Sequence, residues 1–121
     1  MGMYIGTGYG SIGKMENFDN PYQEWKKHEN ELKNLAKKHN VHIDFKSQDQ
    51  GNDGYYLVIL DSLISTKHVY QDSIFFMDLN VQENSDFEKR LDNFLEELWK
   101  TESLSKFHLI EFYEPSKLLF T

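Results

Sequence analysis

The residues whose types and spacing could do chemistry lie near the start of the chain, in the stretch "YIGTGYGSIGKM". Gly8, Gly10 and Gly13 match G-x-G-x-x-G, while Gly8, Gly13 and Lys14 match G-x-x-x-x-G-K. Both spacings recur where backbone amides bind nucleotide phosphates at the start of a helix. Either match would indicate a small enzyme or a nucleotide sensor that uses the Gly8–Lys14 segment.

Two features of this stretch argue against phosphate binding. The first helical pattern begins near Pro21, several residues after Gly13, so the loop amides would not lie at a helix start. Met15 stands where a P-loop has the Ser or Thr that binds Mg²⁺. We therefore predict a glycine-rich arm or edge strand over residues 1–14 and keep the nucleotide hypothesis as the alternative.

The other polar groups form no arrangement with a chemical signature. His39 and His42 have metal-ligand spacing, but with His28 they complete no H-E-x-x-H motif and no third ligand is indicated. Glu111 shares a face of a predicted strand with apolar residues. Its carboxylate therefore either lies at a solvated margin of the sheet or is buried with a partner. Six polar residues close in sequence could together form an acid–base cluster: Asp61, Ser62, Ser65, His68, Asp72 and Ser73. We predict no catalytic, metal-binding or cofactor-binding residues.

Composition restricts the class of protein. The chain has 121 residues, 39% of them hydrophobic and none of them cysteine, which indicates one domain over residues 1–121 that relies on packing rather than disulfides. No apolar run approaches the ~20 residues of a membrane helix, so we expect a cytoplasmic protein with no membrane partner. Arg90 is the single arginine and the net charge is −7, which disfavours nucleic acid as a partner.

Helical and alternating patterns predict the first elements of the fold. Asn20 and Pro21 begin a helix that Asn40 ends, with the apolar stripe Tyr22, Trp25, Leu32, Leu35 and Ala36. Residues 41–47 alternate between apolar and polar and predict a half-exposed strand. The continuously apolar residues 55–61 predict a central strand covered on both faces, joined to the first by a tight turn at Asp53-Gly54.

The second half predicts another helix and further strands. Ser85 and Glu88 form a capping box before an amphipathic helix with the stripe Phe87, Leu91, Phe94, Leu95 and Leu98. Residues 73–81 and 106–114 read as strands, and residues 67–70 as a short one. The fold class predicted is α+β, a largely antiparallel sheet of four to five strands with two amphipathic helices packed on one face.

Charge is uneven and suggests a partner. Residues 1–47 carry seven lysines and six acids, whereas residues 48–121 carry six basic residues and fourteen acids. An acidic surface steers association with a basic protein, and aromatic residues beside it can anchor the contact. The predicted partner-binding residues are Asp49, Asp53, Tyr55, Tyr70, Asp72, Glu88, Asp92, Glu96 and Glu97.

These residues predict an acidic protein-binding inhibitor rather than an enzyme. The expected partner is a basic protein such as a toxin or a nucleic-acid-binding protein, and the chain itself is expected to be a monomer or a homodimer. A bacterial immunity protein that neutralises its cognate toxin fits this description, as does a phage-encoded inhibitor of a host protein.

Overall fold

A computed structural model describes residues 4–48, 54–62, 69–70 and 86–120 of the chain. The strands are β1 (Tyr4–Lys14), β2 (Val41–Gln48), β3 (Gly54–Asp61), β4 (Val69–Tyr70) and β5 (Ser116–Phe120). The helices are α1 (Pro21–Lys38), α2 (Phe87–Lys100) and a 3₁₀ helix (Glu102–Leu109). The α+β class predicted from the sequence is confirmed.

The glycine-rich β1 lies in the middle of an antiparallel sheet. It pairs with β3 over Gly10–Lys14 and with β5 over Gly6–Gly10. Gly10 is opposite both Leu60 of β3 and Ser116 of β5, so β3 and β5 flank opposite edges of β1. β2 continues the sheet beyond β3, and the two residues of β4 pair with the start of β1. Residues 4–14 of the segment expected as an arm or edge strand thus form a strand with neighbours on both edges.

One face of the sheet carries the hydrophobic core. Because side chains alternate along a strand, Val41 and Ile43 share a face with Leu57 and Ile59, and all four are buried. Val58, on the opposite face, is also buried, which confirms the prediction that β3 is covered on both faces. The helices contribute to the same core through Trp25, Leu32, Ala36, Phe87, Leu91, Phe94, Leu95, Leu98, Leu104 and Phe107.

Helix α1 begins and ends where the sequence predicts. Asn20 Oδ1 accepts a hydrogen bond from the backbone N–H of Gln23 at 3.2 Å, and Pro21 is the first helical residue. Asn40 follows the helix with a φ of 57°, the left-handed conformation that commonly ends helices. The predicted apolar stripe is buried or half-buried except at Tyr22, whose side chain is 51% exposed.

Helix α2 confirms its predicted apolar stripe but begins differently. The buried residues are Phe87, Leu91, Phe94, Leu95 and Leu98. Ser85, the predicted cap, lies outside the described residues, and Asp86 occupies the N-cap position without a side-chain bond to the helix backbone. The Asp86 carboxylate instead accepts a hydrogen bond from Arg90 Nε at 2.8 Å. An acid in this position also favours the helix start through the helix dipole.

The strand predicted over residues 106–114 is wrong. Residues 102–109 form the 3₁₀ helix, and Glu111 lies beyond it, exposed and outside any strand. Leu104, Phe107 and Ile110 are buried at intervals of three residues, which is the repeat of a 3₁₀ helix. Two periods therefore compete in this stretch, the alternation of a strand and the three-residue repeat. The three-residue repeat places Leu104, Phe107 and Ile110 in the same core as the buried residues of α2, and this favours the 3₁₀ helix.

The set of four to five strands predicted from the sequence is not confirmed, because its members differ from the strands of the structure. Residues 106–114 are not one of the strands, and residues 73–81 lie outside the described part of the chain. The short apolar tail, which was not predicted to join the sheet, pairs with β1 as β5.

Arg90 joins the ends of three elements. Its Nη2 donates to Asp61 Oδ1 at 2.8 Å, its Nε to Asp86 Oδ1 at 2.8 Å, and its Nη1 to the backbone oxygen of Asn40 at 2.5 Å. The side chain of Asp61 is 1% exposed and that of Arg90 is 11% exposed, so this ion pair lies in the interior. The guanidinium therefore holds together the end of β3, the end of α1 and the start of α2.

Replacing Arg90 by methionine keeps the apolar stem and removes the charge. We expect Arg90→Met to lower the free energy of unfolding by about 3–5 kcal/mol, because a buried carboxylate loses its guanidinium partner. Urea unfolding followed by circular dichroism measures this loss. Lys89→Met, at the exposed neighbouring position, is the control and should stay within about 0.5 kcal/mol of wild type. A loss below about 1 kcal/mol for Arg90→Met would show that the pair is dispensable.

Candidate protein-binding surface

The glycine motif does not form a phosphate-binding loop. Gly8, Gly10 and Gly13 lie within β1, whose backbone is paired with β3 along one edge and β5 along the other. A phosphate loop needs free N–H groups that converge at a helix start, whereas the amides of a paired strand point into its neighbours. Lys14 ends the strand, and its ammonium lies 3.3 Å from the Glu16 carboxylate.

The spacing of the glycines instead reflects close packing. A Cβ at Gly10 would lie 2.0 Å from the backbone oxygen of Ile59, and one at Gly13 would lie 2.5 Å from Ile110 Cγ2. Neither position can accept a side chain without displacing its neighbour, whereas a Cβ at Gly8 would meet only the end of the Leu60 side chain, at 3.0 Å. The motif is therefore a structural feature of the central strand.

Two of the histidines, His28 and His39, lie beside carboxylates. His39 Nε2 lies 3.0 Å from Glu97 Oε1, and His28 lies 3.8 Å from both Glu24 and Glu31. Within the described ranges no group of three or more His, Asp or Glu side chains could hold a metal ion, and no helix is long and apolar enough to cross a membrane. The cluster expected around His68 lies outside those ranges, apart from the buried Asp61 and the exposed Ser62.

Two of the predicted acidic residues on α2 are neutralised by cations of this chain. Glu96 accepts a hydrogen bond from Lys100 at 2.8 Å, which lowers the pKa of Glu96. Glu97 lies 3.0 Å from Lys38 and 3.0 Å from His39, and the hydrogen bond from Lys38, followed by that from His39, lowers the pKa of Glu97. These carboxylates link α2 to its own next turn and to the end of α1.

Glu88 and Asp92 form no ion pair within the described part of the chain. Both are exposed, and they stand four residues apart on α2, so they lie on one side of the helix. Trp99 follows Asp92 by two helical turns on the same side, with 46% of its surface exposed. We refer to Glu88, Asp92 and Trp99 as the outer flank of α2.

Sequence reasoning missed Trp99. It directly follows Leu98, the last residue of the buried stripe, and its own position falls at the margin of that stripe. A large aromatic residue off the apolar face of an otherwise regular amphipathic helix was the signal that could have identified it.

Of the remaining predicted contact residues, Tyr55 lies away from this flank. Tyr55 is 44% exposed, and its ring stacks on Phe45 with a centroid distance of 5.5 Å. It stands about 20 Å along β3 from Asp61, the residue that binds the start of α2. Tyr70 lies in β4, opposite Tyr4. Three further predicted residues lie outside the described part of the chain: Asp49, Asp53 and Asp72.

The packing of the glycines can be tested by adding one methyl group. Gly10→Ala should lower the free energy of unfolding by about 3 kcal/mol or more, because its Cβ meets the backbone of β3. Gly8→Ala is the matched control, and it should change stability by under about 1 kcal/mol because only the end of a flexible side chain must move. Equal urea midpoints for the two variants would contradict the packing of β1 described above.

Comparison with known proteins identifies no relative of this chain. No family model, no curated protein and no solved structure matches it.

Proposed function

We propose that this protein is an acidic protein-binding inhibitor that masks a basic partner in the cytoplasm. A bacterial immunity protein that neutralises a cognate toxin is the form of this function that we favour, and a phage-encoded inhibitor of a host protein is the other. The partner is a basic protein, such as a toxin or a nucleic-acid-binding protein, whose cationic site the inhibitor covers.

The observation that carries the proposal is the outer flank of α2. Two carboxylates without an ion pair in the described residues share one side of the helix with an exposed tryptophan, which lies two turns beyond Asp92. Tryptophan is among the residues that most often anchor protein interfaces, and neighbouring acids provide complementarity to a cationic surface. The flank therefore offers both an anchor and a charge pattern.

Preorganisation supports the same conclusion. The adjoining face of α2 is buried through five large apolar residues, and Arg90 fixes the start of the helix to β3 and α1. A helix held this firmly loses little conformational entropy when a partner binds its outer flank.

The charge of the whole chain supports fast association. The net charge is −7, and residues 48–121 carry fourteen acids against six basic residues. A field of one sign raises the rate at which an oppositely charged partner is captured, and this effect weakens as salt is added.

Charge reversal on the outer flank tests the proposal. The double variant Glu88→Lys/Asp92→Lys should associate with the basic partner about tenfold more slowly at low salt, with a smaller change in dissociation. Surface plasmon resonance against the partner measures both rates. In cells, the variant should rescue growth poorly when it is co-expressed with a toxin encoded beside its gene, whereas wild type should rescue fully.

The control separates local from total charge. Glu102→Lys/Glu114→Lys makes the same change in net charge at exposed positions outside α2, and it should slow association much less. If both double variants behave like wild type at every salt concentration, or if no basic protein is captured by the wild-type chain, the inhibitor proposal fails.

Trp99 supplies an independent prediction. Trp99→Ala should speed dissociation from the basic partner about 30-fold, the effect of losing ~2 kcal/mol at an interface anchor, while the variant remains folded at the temperature of the assay. Tyr22→Ala removes an aromatic side chain of similar exposure from α1 and serves as the control. Equal dissociation rates for the two variants would place the contact away from the outer flank.

A further inference from the structure

A cleft of about 340 Å³ opens beside the end of the glycine strand. It lies between the turn that follows β1 and the segment that follows the 3₁₀ helix. Its walls are formed by Lys14, Glu16, Asn17, Leu109, Glu111, Phe112 and Tyr113. We refer to this site as the β1 cleft.

Close packing against β1 builds the wall of the cleft. Phe112 forms a β-bridge with Gly13, and the Tyr113 backbone N–H donates to the backbone oxygen of Ile12 at 3.0 Å. The Ser11 hydroxyl, which is buried, donates a hydrogen bond to the backbone oxygen of Tyr113. Because a Cβ at Gly13 would collide with Ile110 and Phe112, the wall depends on a glycine at this position.

Three of the seven side chains that line the cleft are apolar or aromatic, and two of these three are exposed. Tyr113 is 66% exposed and Leu109 is 46% exposed, whereas Phe112 is half-buried. Exposed large apolar residues that line a concavity are typical of binding sites rather than of solvated surface.

The charges of the β1 cleft favour a cation. The ammonium of Lys14 lies 3.3 Å from Glu16, so these two charges balance each other. Glu111 is exposed and forms no ion pair within the described residues, which leaves the lining with one net negative charge. The net charge of −7 on the whole chain adds to this preference.

We propose that the β1 cleft binds the guanidinium group of an arginine side chain. A guanidinium stacks on aromatic rings and donates paired hydrogen bonds to a carboxylate, so Tyr113 or Phe112 and Glu111 together match its two modes of recognition. The arginine belongs to a basic protein. This assignment of the partner rests on the proposed function, whereas binding of a guanidinium by the cleft does not. The cleft is then a second contact, separate in sequence from the outer flank of α2.

A small arginine derivative tests the cleft without any knowledge of the partner. The probe is N-acetyl-arginine amide, titrated into the 15N-labelled full chain and followed by amide chemical shifts. We expect saturable shifts confined to residues 12–17 and 109–114, with a dissociation constant on the order of millimolar, as is typical of so small a ligand. N-acetyl-citrulline amide has the same shape without the charge and should bind at least about fivefold more weakly.

Variants of the wall identify the groups that bind. Glu111→Gln and Tyr113→Ala should each weaken binding of N-acetyl-arginine amide about fivefold or more, through loss of the charge and of the ring respectively. Glu102→Gln removes an exposed acid that does not line the cleft, and it should bind the probe like wild type. All three positions are exposed, so thermal melting should show that each variant is folded as wild type is.

The possible outcomes distinguish this inference from the proposed function. Equal binding of the citrulline and arginine probes, shifts outside the two named segments, or unchanged affinity in both Glu111→Gln and Tyr113→Ala would overturn the cleft assignment. Glu88→Lys/Asp92→Lys should leave binding of the arginine probe within about twofold of wild type, because those residues do not line the cleft. Partner binding by Glu88→Lys/Asp92→Lys therefore tests the proposed function of α2. Probe binding by the variants of the wall tests the cleft.

Discussion

The structure depends on one interior ion pair, that between Arg90 and Asp61. A carboxylate that is almost entirely buried is costly unless a hydrogen-bonded cation accompanies it, and here the cation comes from a helix distant in sequence. The same guanidinium binds the backbone oxygen of Asn40 and the carboxylate of Asp86. Because its planar group offers donors in several directions, one side chain fixes the position of α2 relative to both α1 and the sheet.

The central strand imposes the second constraint, which is steric. At Gly10 and Gly13, neighbouring segments of the same chain approach so closely that no Cβ fits. The absence of side chains at these positions lets β3 and the segment before β5 pack directly against β1. The pattern that resembles a phosphate-binding motif thus has a packing cause. The same close approach shapes the β1 cleft, so the glycines contribute to a surface feature through the backbone rather than through bound phosphate.

Electrostatic pairing divides the acidic surface of α2 into two sides. Glu97 faces the end of α1 and is bound by Lys38 and His39, so its charge contributes to the contact between the helices. Glu88 and Asp92 lie on the other side of α2 from Glu97, the side that Trp99 shares two turns further along the helix. Exposed ion pairs add little stability, yet they change which charges a partner meets. Partner recognition is therefore proposed at the outer flank rather than over the whole helix.

The sequence by itself determined the helices and strands whose hydrophobic residues follow a single period or whose ends are marked by nearby capping residues. The Asn20 cap, the Asn40 end of α1, the buried stripe of α2 and the alternation in β2 follow from neighbours within a few residues, and all are found in the structure. Tertiary structure decided the rest. Residues 106–114 alternate as a strand does, whereas Leu104, Phe107 and Ile110 follow a three-residue period, and contact with the core selects the 3₁₀ helix. The position of β1 between two strands, the pairing of Glu97 with α1 and the exposure of Trp99 depend on residues far apart in the chain, and no local pattern encodes such distances.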